Sequence, residues 1–111
     1  MNRAMTRHIA LVLGSAIAGY ALAASPGQTI YETHCSVCHG QTGKGVLTGV
    51  PDFTRKNGVL SLPAAVLLRR IEHGYHAPGA PMAMPPRGGD ASLTNEQIER
   101  VLAYLRRRFG G

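Results

Sequence analysis

Cys35-Ser36-Val37-Cys38-His39 sets two thiols with two residues between them and puts an imidazole directly after the second. These are the only cysteines in the chain. A Cys-x-x-Cys pair can close a disulfide, act as a thioredoxin-like dithiol, contribute to a zinc site, or add to the vinyl groups of a porphyrin. A thioredoxin-like site needs a strand-to-helix context that is absent here. A tetrahedral zinc site needs two further ligands at suitable spacing, and there is no second cysteine pair. The histidine immediately after Cys38 favours the last option over a disulfide or dithiol, because C-x-x-C-H is the attachment signature of a c-type haem. Cys35 and Cys38 would form the thioethers and His39 would reach the iron axially.

A second axial ligand must come from elsewhere. Past residue 5 the only methionines are Met82 and Met84, in the proline-rich stretch Pro78-Gly79-Ala80-Pro81-Met82-Ala83-Met84-Pro85-Pro86. A thioether is a soft ligand, and a histidine–methionine pair raises the reduction potential of haem iron. Met84 is the preferred candidate because two prolines follow it and fix its approach, with Met82 as the alternative. Two methionines could instead fill gaps in an irregular core. His34, His73 and His76 could each compete for the iron, although histidines at loops and helix ends are usually exposed. Pro51, or its neighbour, leaves a carbonyl free to accept from the other nitrogen of His39 and so to orient the ring.

The elements that must position these groups read as three helices joined by long loops, with no convincing strand. The first spans about Pro26 to Cys38, starts near Pro26 or Gly27, and stops at Gly40. It brings Ile30, Tyr31, His34, Cys35 and Cys38 to one broad face. The second spans about Leu62 to His73, with Ser61 as N-cap, Pro63 in the first turn and Gly74 as the stop. The third is marked by a capping box, Thr94 with Gln97, and a staple, Leu93 with Ile98. Ile98, Val101, Leu102, Leu105 and Phe109 then recur every three or four residues to an end near Arg108. Between the first two helices, Gln41 to Leu60 is rich in glycine yet carries Val46, Leu47, Val50, Phe53 and Val59, as expected of a loop wrapped around an apolar object.

With 111 residues there is room for one domain, and a chain of this size benefits from a covalent staple. Aromatic residues make up only 5%, without tryptophan, so aromatic packing alone cannot build the interior. The N-terminus reads as an export signal: Arg3 and Arg7, an apolar run from Ile9 to Leu22, then Ala21-Leu22-Ala23. We therefore expect a signal peptide over 1–23 and a mature domain over 24–111 located in the periplasm, with a membrane anchor as the alternative if cleavage fails. Losing Arg3 and Arg7 lowers the formal charge from +6 to +4.

The mature chain resembles a class I c-type cytochrome of the small bacterial monohaem kind. The resemblance rests on Cys35-Ser36-Val37-Cys38-His39, on Gly27 and Tyr31 upstream of it, on Pro51 downstream, and on Met84-Pro85-Pro86-Arg87-Gly88. That last loop is similar to the sixth-ligand loop of the cytochrome c-five branch, whose additional cysteine pair is absent here. The resemblance implies an all-α cytochrome c fold around one covalent haem c. It also implies that Gly27 and Tyr31 pack the first helix against Val101, Tyr104 and Leu105.

With both axial positions filled, the expected function is electron shuttling between redox partners, without a small-molecule substrate. A cytochrome subunit that accepts electrons within a dehydrogenase or oxidase is the alternative. An open-site haem enzyme or sensor would need a distal acid–base group and no competing methionine. Arg106-Arg107-Arg108, with Lys44, Arg55, Lys56 and Arg87, would favour partners with acidic docking surfaces, unless the triplet only complements the helix dipole. No aromatic–basic pattern suggests nucleic acid.

Overall fold

The computed structural model describes residues 9–16, 19 and 23–110. Ser25 caps the first helix by accepting from the Gln28 N–H at 3.2 Å, and Pro26 occupies the first helical position. The helix, α1, runs through three consecutive segments: α-helical over Pro26–Ile30, π-helical over Tyr31–Cys35, and α-helical over Ser36–His39. The wide turn was not expected from the sequence. Two hydroxyls bond back along the same stretch: Thr33 donates to the Thr29 carbonyl and Ser36 to the Glu32 carbonyl, each at 2.8 Å. Such bonds to the preceding turn compete with the main-chain ladder and bend helices. Gly40, at φ 84°, ends the helix.

The second helix, α2, covers Ala64–His73, shorter at its start than the sequence predicts. Ser61 is not its N-cap. The Ser61 hydroxyl donates to the Gly58 carbonyl in a short turn over Val59–Ser61, and Pro63 holds the cap position without a side-chain bond. The third helix, α3, covers Asn95–Arg108 and has the predicted capping box in both directions. Among the described residues there is no extended strand. One isolated antiparallel bridge joins Tyr75 to Met84.

The core forms where α1 crosses α3. A Cβ on Gly27 would overlap the Arg100 carbonyl of α3, so the two backbones touch at this point and only glycine fits. One turn on, Tyr31 is 1% exposed and packs its ring at 5.6 Å from Tyr104 and 5.5 Å from Phe109. Val101, Leu102 and Leu105 are buried beside them, with Leu67 of α2 and Leu60 completing the cluster. Phe109 does more than its place at the helix end suggested: it also meets Phe53 at 6.0 Å, joining the loop after α1 to the end of α3.

The described start of the N-terminal apolar run stands apart from this core. Ile9, Leu11, Val12 and Leu13 are all at least 80% exposed, and 1–8, with Arg3 and Arg7, together with 17, 18 and 20–22 of the expected signal lie outside the described residues. No helix among the described residues is long and apolar enough to cross a membrane.

The Tyr31 hydroxyl donates to the Gly40 carbonyl at 2.5 Å, tying the start of the π turn to the helix stop. Burial pushes its pKa up to about 12. In the unfolded chain a tyrosine ionises near 10. The stabilisation is therefore complete below about pH 10 and is lost as the pH rises through the folded value. Tyr31→Phe should cost about 1–2 kcal/mol at neutral pH by leaving a buried carbonyl without its donor. It should also flatten the alkaline decline, both effects being read from denaturant midpoints between pH 7 and 12.

Candidate functional site

A cavity of about 530 Å³ opens beside the core, between α1, α2, the loop after α1 and the segment joining α2 to α3. The residues that the sequence assigned to haem attachment and ligation line it: Cys35, Cys38, His39, Pro51, Met82 and Met84. α1 supplies the first three from its final turns. The loop that follows is stitched back onto that helix end, with the Gly45 N–H on the His39 carbonyl and the Val46 N–H on the Cys38 carbonyl, both at 2.9 Å. These bonds carry Leu47, Val50 and Phe53 round to the cavity wall, as the wrapping loop requires. Val46 itself is 65% exposed and is not part of that wall.

His39 stacks on the Phe53 ring at 4.5 Å, with 12° between the planes. Its Nδ1 is buried and has no hydrogen-bond partner. The expected bond to the carbonyl at or beside Pro51 is thus not formed. The Val50 and Pro51 carbonyls lie against Gly45, and the ring plane is held by Phe53. Burial pushes the His39 pKa down to about 4, so the imidazole is neutral at physiological pH, the form that binds metals. Burial likewise pushes Cys35 up to about 11, and both cysteines are free. A neutral imidazole with an orphaned ring nitrogen, two unpaired thiols and an apolar wall fit a covalently attached porphyrin. An unpartnered buried nitrogen is otherwise unfavourable by roughly 1–3 kcal/mol.

The two methionines differ in how they are held. Met82 is 61% exposed, whereas Met84 is half-buried. The Met84 N–H donates to the Tyr75 carbonyl at 2.8 Å and the Tyr75 N–H to the Met84 carbonyl at 3.1 Å. This reciprocal pair clamps the loop on both sides of the Met84 Cα. Gly74 permits it, since its φ is 78° and a Cβ there would lie 2.6 Å from the Met84 carbonyl. Above the clamp, Arg70 stacks its guanidinium 3.9 Å from the Tyr75 ring centre and faces the cavity. Neither contact was foreseen, although Gly74 and the Tyr75 ring were each visible in the sequence.

The competing histidines have other partners, and of the three only His34 also lines the cavity. His34 lies 3.5 Å from Asp90, His73 lies 3.7 Å from Glu72, and His76 is hydrogen-bonded to the Ala80 carbonyl at 2.8 Å. Among the described residues no cluster of three or more His, Cys, Asp or Glu side chains forms a separate metal site.

A family model described as cytochrome C oxidase, cbb3-type, subunit III matches residues 22–105. The chain is similar to cytochrome c-555 of Chlorobaculum tepidum, with 30% identity over 95 residues, covering 86% of this chain and 82% of that protein. It is also similar to the cytochrome c subunit of an alcohol dehydrogenase (quinone) from Gluconacetobacter polyoxogenes, with 31% identity over 91 residues. There the match covers 79% of this chain but 19% of the relative. Against the cbb3-type cytochrome c oxidase subunit CcoP of Rhodobacter capsulatus the identity is 28% over 89 residues, covering 79% of this chain and 30% of that subunit. The chain thus corresponds to about a fifth of the length of the dehydrogenase subunit.

The Gly74 contact generates a direct expectation. Gly74→Val should force the α2 stop away from the Met84 carbonyl, at a cost of about 2–3 kcal/mol. The amide of Met84 should then lose its protection in native-state hydrogen exchange while the amides of α3 retain theirs.

Proposed function

The chain belongs to the c-type cytochromes, and on that premise we propose that residues 24–111 form a monohaem electron carrier of the periplasm rather than an enzyme. The observation that carries this reading is the convergence of Cys35, Cys38, His39 and Met84 on one apolar cavity. In it, Cys35 and Cys38 would hold the haem through thioethers, and His39 and Met84 would bind its iron. The haem, when bound, supplies reversible one-electron oxidation of its iron.

The remaining work is done by the chain. Phe53 fixes the plane of His39, the Tyr75 pairing fixes the backbone of Met84, and the walls formed by Leu67, Val101 and Leu102 keep water from the cavity. Rigid ligands on both sides suit a carrier, because little has to move when an electron arrives or leaves. Residues 1–23 act as the export signal in this reading, in keeping with an apolar run that does not pack on the core.

Partners would be redox proteins with acidic docking surfaces. The exposed basic side chains that remain free to meet them include Lys44, Arg55, Lys56, Arg107 and Arg108. Arg106 and Arg87, counted with them on sequence grounds, are engaged internally: Arg106 donates to the Leu62 carbonyl at 2.8 Å and Arg87 to three acceptors. The short matches within longer dehydrogenase and oxidase subunits favour a second reading, in which this domain accepts electrons from one dedicated enzyme. Co-purification of an enzyme with the native protein would distinguish the two.

The ligand assignment is tested by the ferric spectrum. Wild-type protein should show the weak far-red charge-transfer band of methionine-ligated haem. Met84→Ala should abolish the band and Met82→Ala should leave it. The reverse pattern would move the ligand to Met82, and a wild type without the band would reopen the open-site reading. Replacing either Cys35 or Cys38 by serine should reduce the covalent attachment to a single thioether, seen by mass spectrometry of the denatured chain.

A further inference from the structure

Met84 is followed by Pro85 and Pro86 and then by a turn in left-handed backbone: Arg87 at φ 53°, Gly88 at 61° and Gly89 at 81°. The two glycines tolerate that region freely; an arginine seldom enters it and stays only where its surroundings fix it. What fixes Arg87 is its own side chain. One terminal nitrogen donates to the Leu93 carbonyl at 2.6 Å. The other donates to the Asn95 side-chain oxygen at 2.8 Å and to the Glu72 carboxylate at 3.3 Å. Glu72 lies in the last turn of α2, Asn95 opens α3, and Leu93 directly precedes its cap residue. A single guanidinium, with its side chain 23% exposed, thus binds the outgoing limb of the Met84 loop to both helices.

We propose that Arg87 is the positioning residue for Met84, a tether that keeps the thioether loop seated against the cavity; this rests on the reading that Met84 is the sixth ligand. The loop has two anchors. The Tyr75 pairing holds it on the incoming side, and on the outgoing side Arg87 holds it across two prolines that have no N–H to donate. The planar fork of a guanidinium reaches three acceptors in fixed directions, which an ammonium cannot reproduce. Bonds between charged groups and carbonyl or carboxylate oxygens are among the stronger hydrogen bonds in proteins. Severing them should make local opening of the loop more frequent without unfolding α3.

The test uses the haem-loaded protein and its variants Arg87→Gln, Arg87→Lys, Glu72→Ala and Asn95→Ala. Two quantities are measured: the affinity of added imidazole for ferric protein, followed by loss of the far-red band, and the native-state exchange rate of the Met84 amide. Arg87→Gln should bind imidazole about tenfold more tightly and exchange the Met84 amide about tenfold faster. The amides from Ile98 to Leu105 should be unchanged. Arg87→Lys should not restore the wild-type values, and Glu72→Ala and Asn95→Ala should each show part of the effect. Wild-type affinity and exchange in Arg87→Gln would overturn the proposal, as would a uniform rise in exchange across α3. Should Arg87→Gln fail to yield haem-loaded protein, the Glu72 and Asn95 variants decide the matter by the same readouts. If the wild-type band is absent, or survives Met84→Ala, the ligand assignment fails; Met84 amide exchange then still reports whether Arg87 tethers the loop.

Discussion

The contact between α1 and α3 at Gly27 is the constraint on which the remaining geometry depends. With the glycine Cα against the Arg100 carbonyl, the two helices are as close as backbones permit, and Tyr31 fills the angle between them one turn later. Everything on α1 beyond Tyr31 is then directed by that crossing. The thiols and imidazole reach the cavity because the helix has nowhere else to point, and the Tyr31 bond to the Gly40 carbonyl fixes where it ends. A larger residue at 27 would move the whole face that carries Cys35, Cys38 and His39, not one contact.

Much of this was legible from residue types and spacing. The attachment motif, the capping box at Thr94 and the periodic apolar face of α3 each have a local chemical signature, and each lies where the sequence predicts. The failures share a physical character: they concern which of several possible acceptors a group chooses. Ser61 can cap a helix or close a turn, and it closes the turn. His39 can donate to the carbonyl at or beside Pro51 or stack on an aromatic ring, and it stacks on Phe53. Arg87 and Arg106 can face solvent or satisfy backbone carbonyls, and both turn inward. Such choices depend on tertiary neighbours that no short pattern encodes.

The methionine loop illustrates the same division. Its prolines announced stiffness, but stiffness alone does not separate Met82 from Met84. The difference arises from Tyr75, nine positions upstream of Met84, whose two main-chain bonds grip Met84 and leave Met82 exposed. Gly74 is the residue that makes this grip sterically possible, and it does not itself line the cavity.

The π turn over Tyr31–Cys35 has a geometric effect on the helix as a whole. An α-helix advances about 100° per residue, so one extra residue in a single turn rotates everything after it by roughly that angle relative to everything before. Gly27 can therefore face α3 while Cys35, Cys38 and His39 face the cavity, with Tyr31 reaching both, although all five belong to one continuous rod. The wide turn, with Thr33 and Ser36 bonded back along it, acts as the phase setting between the half of the helix that packs on α3 and the half that carries the thiols and the imidazole.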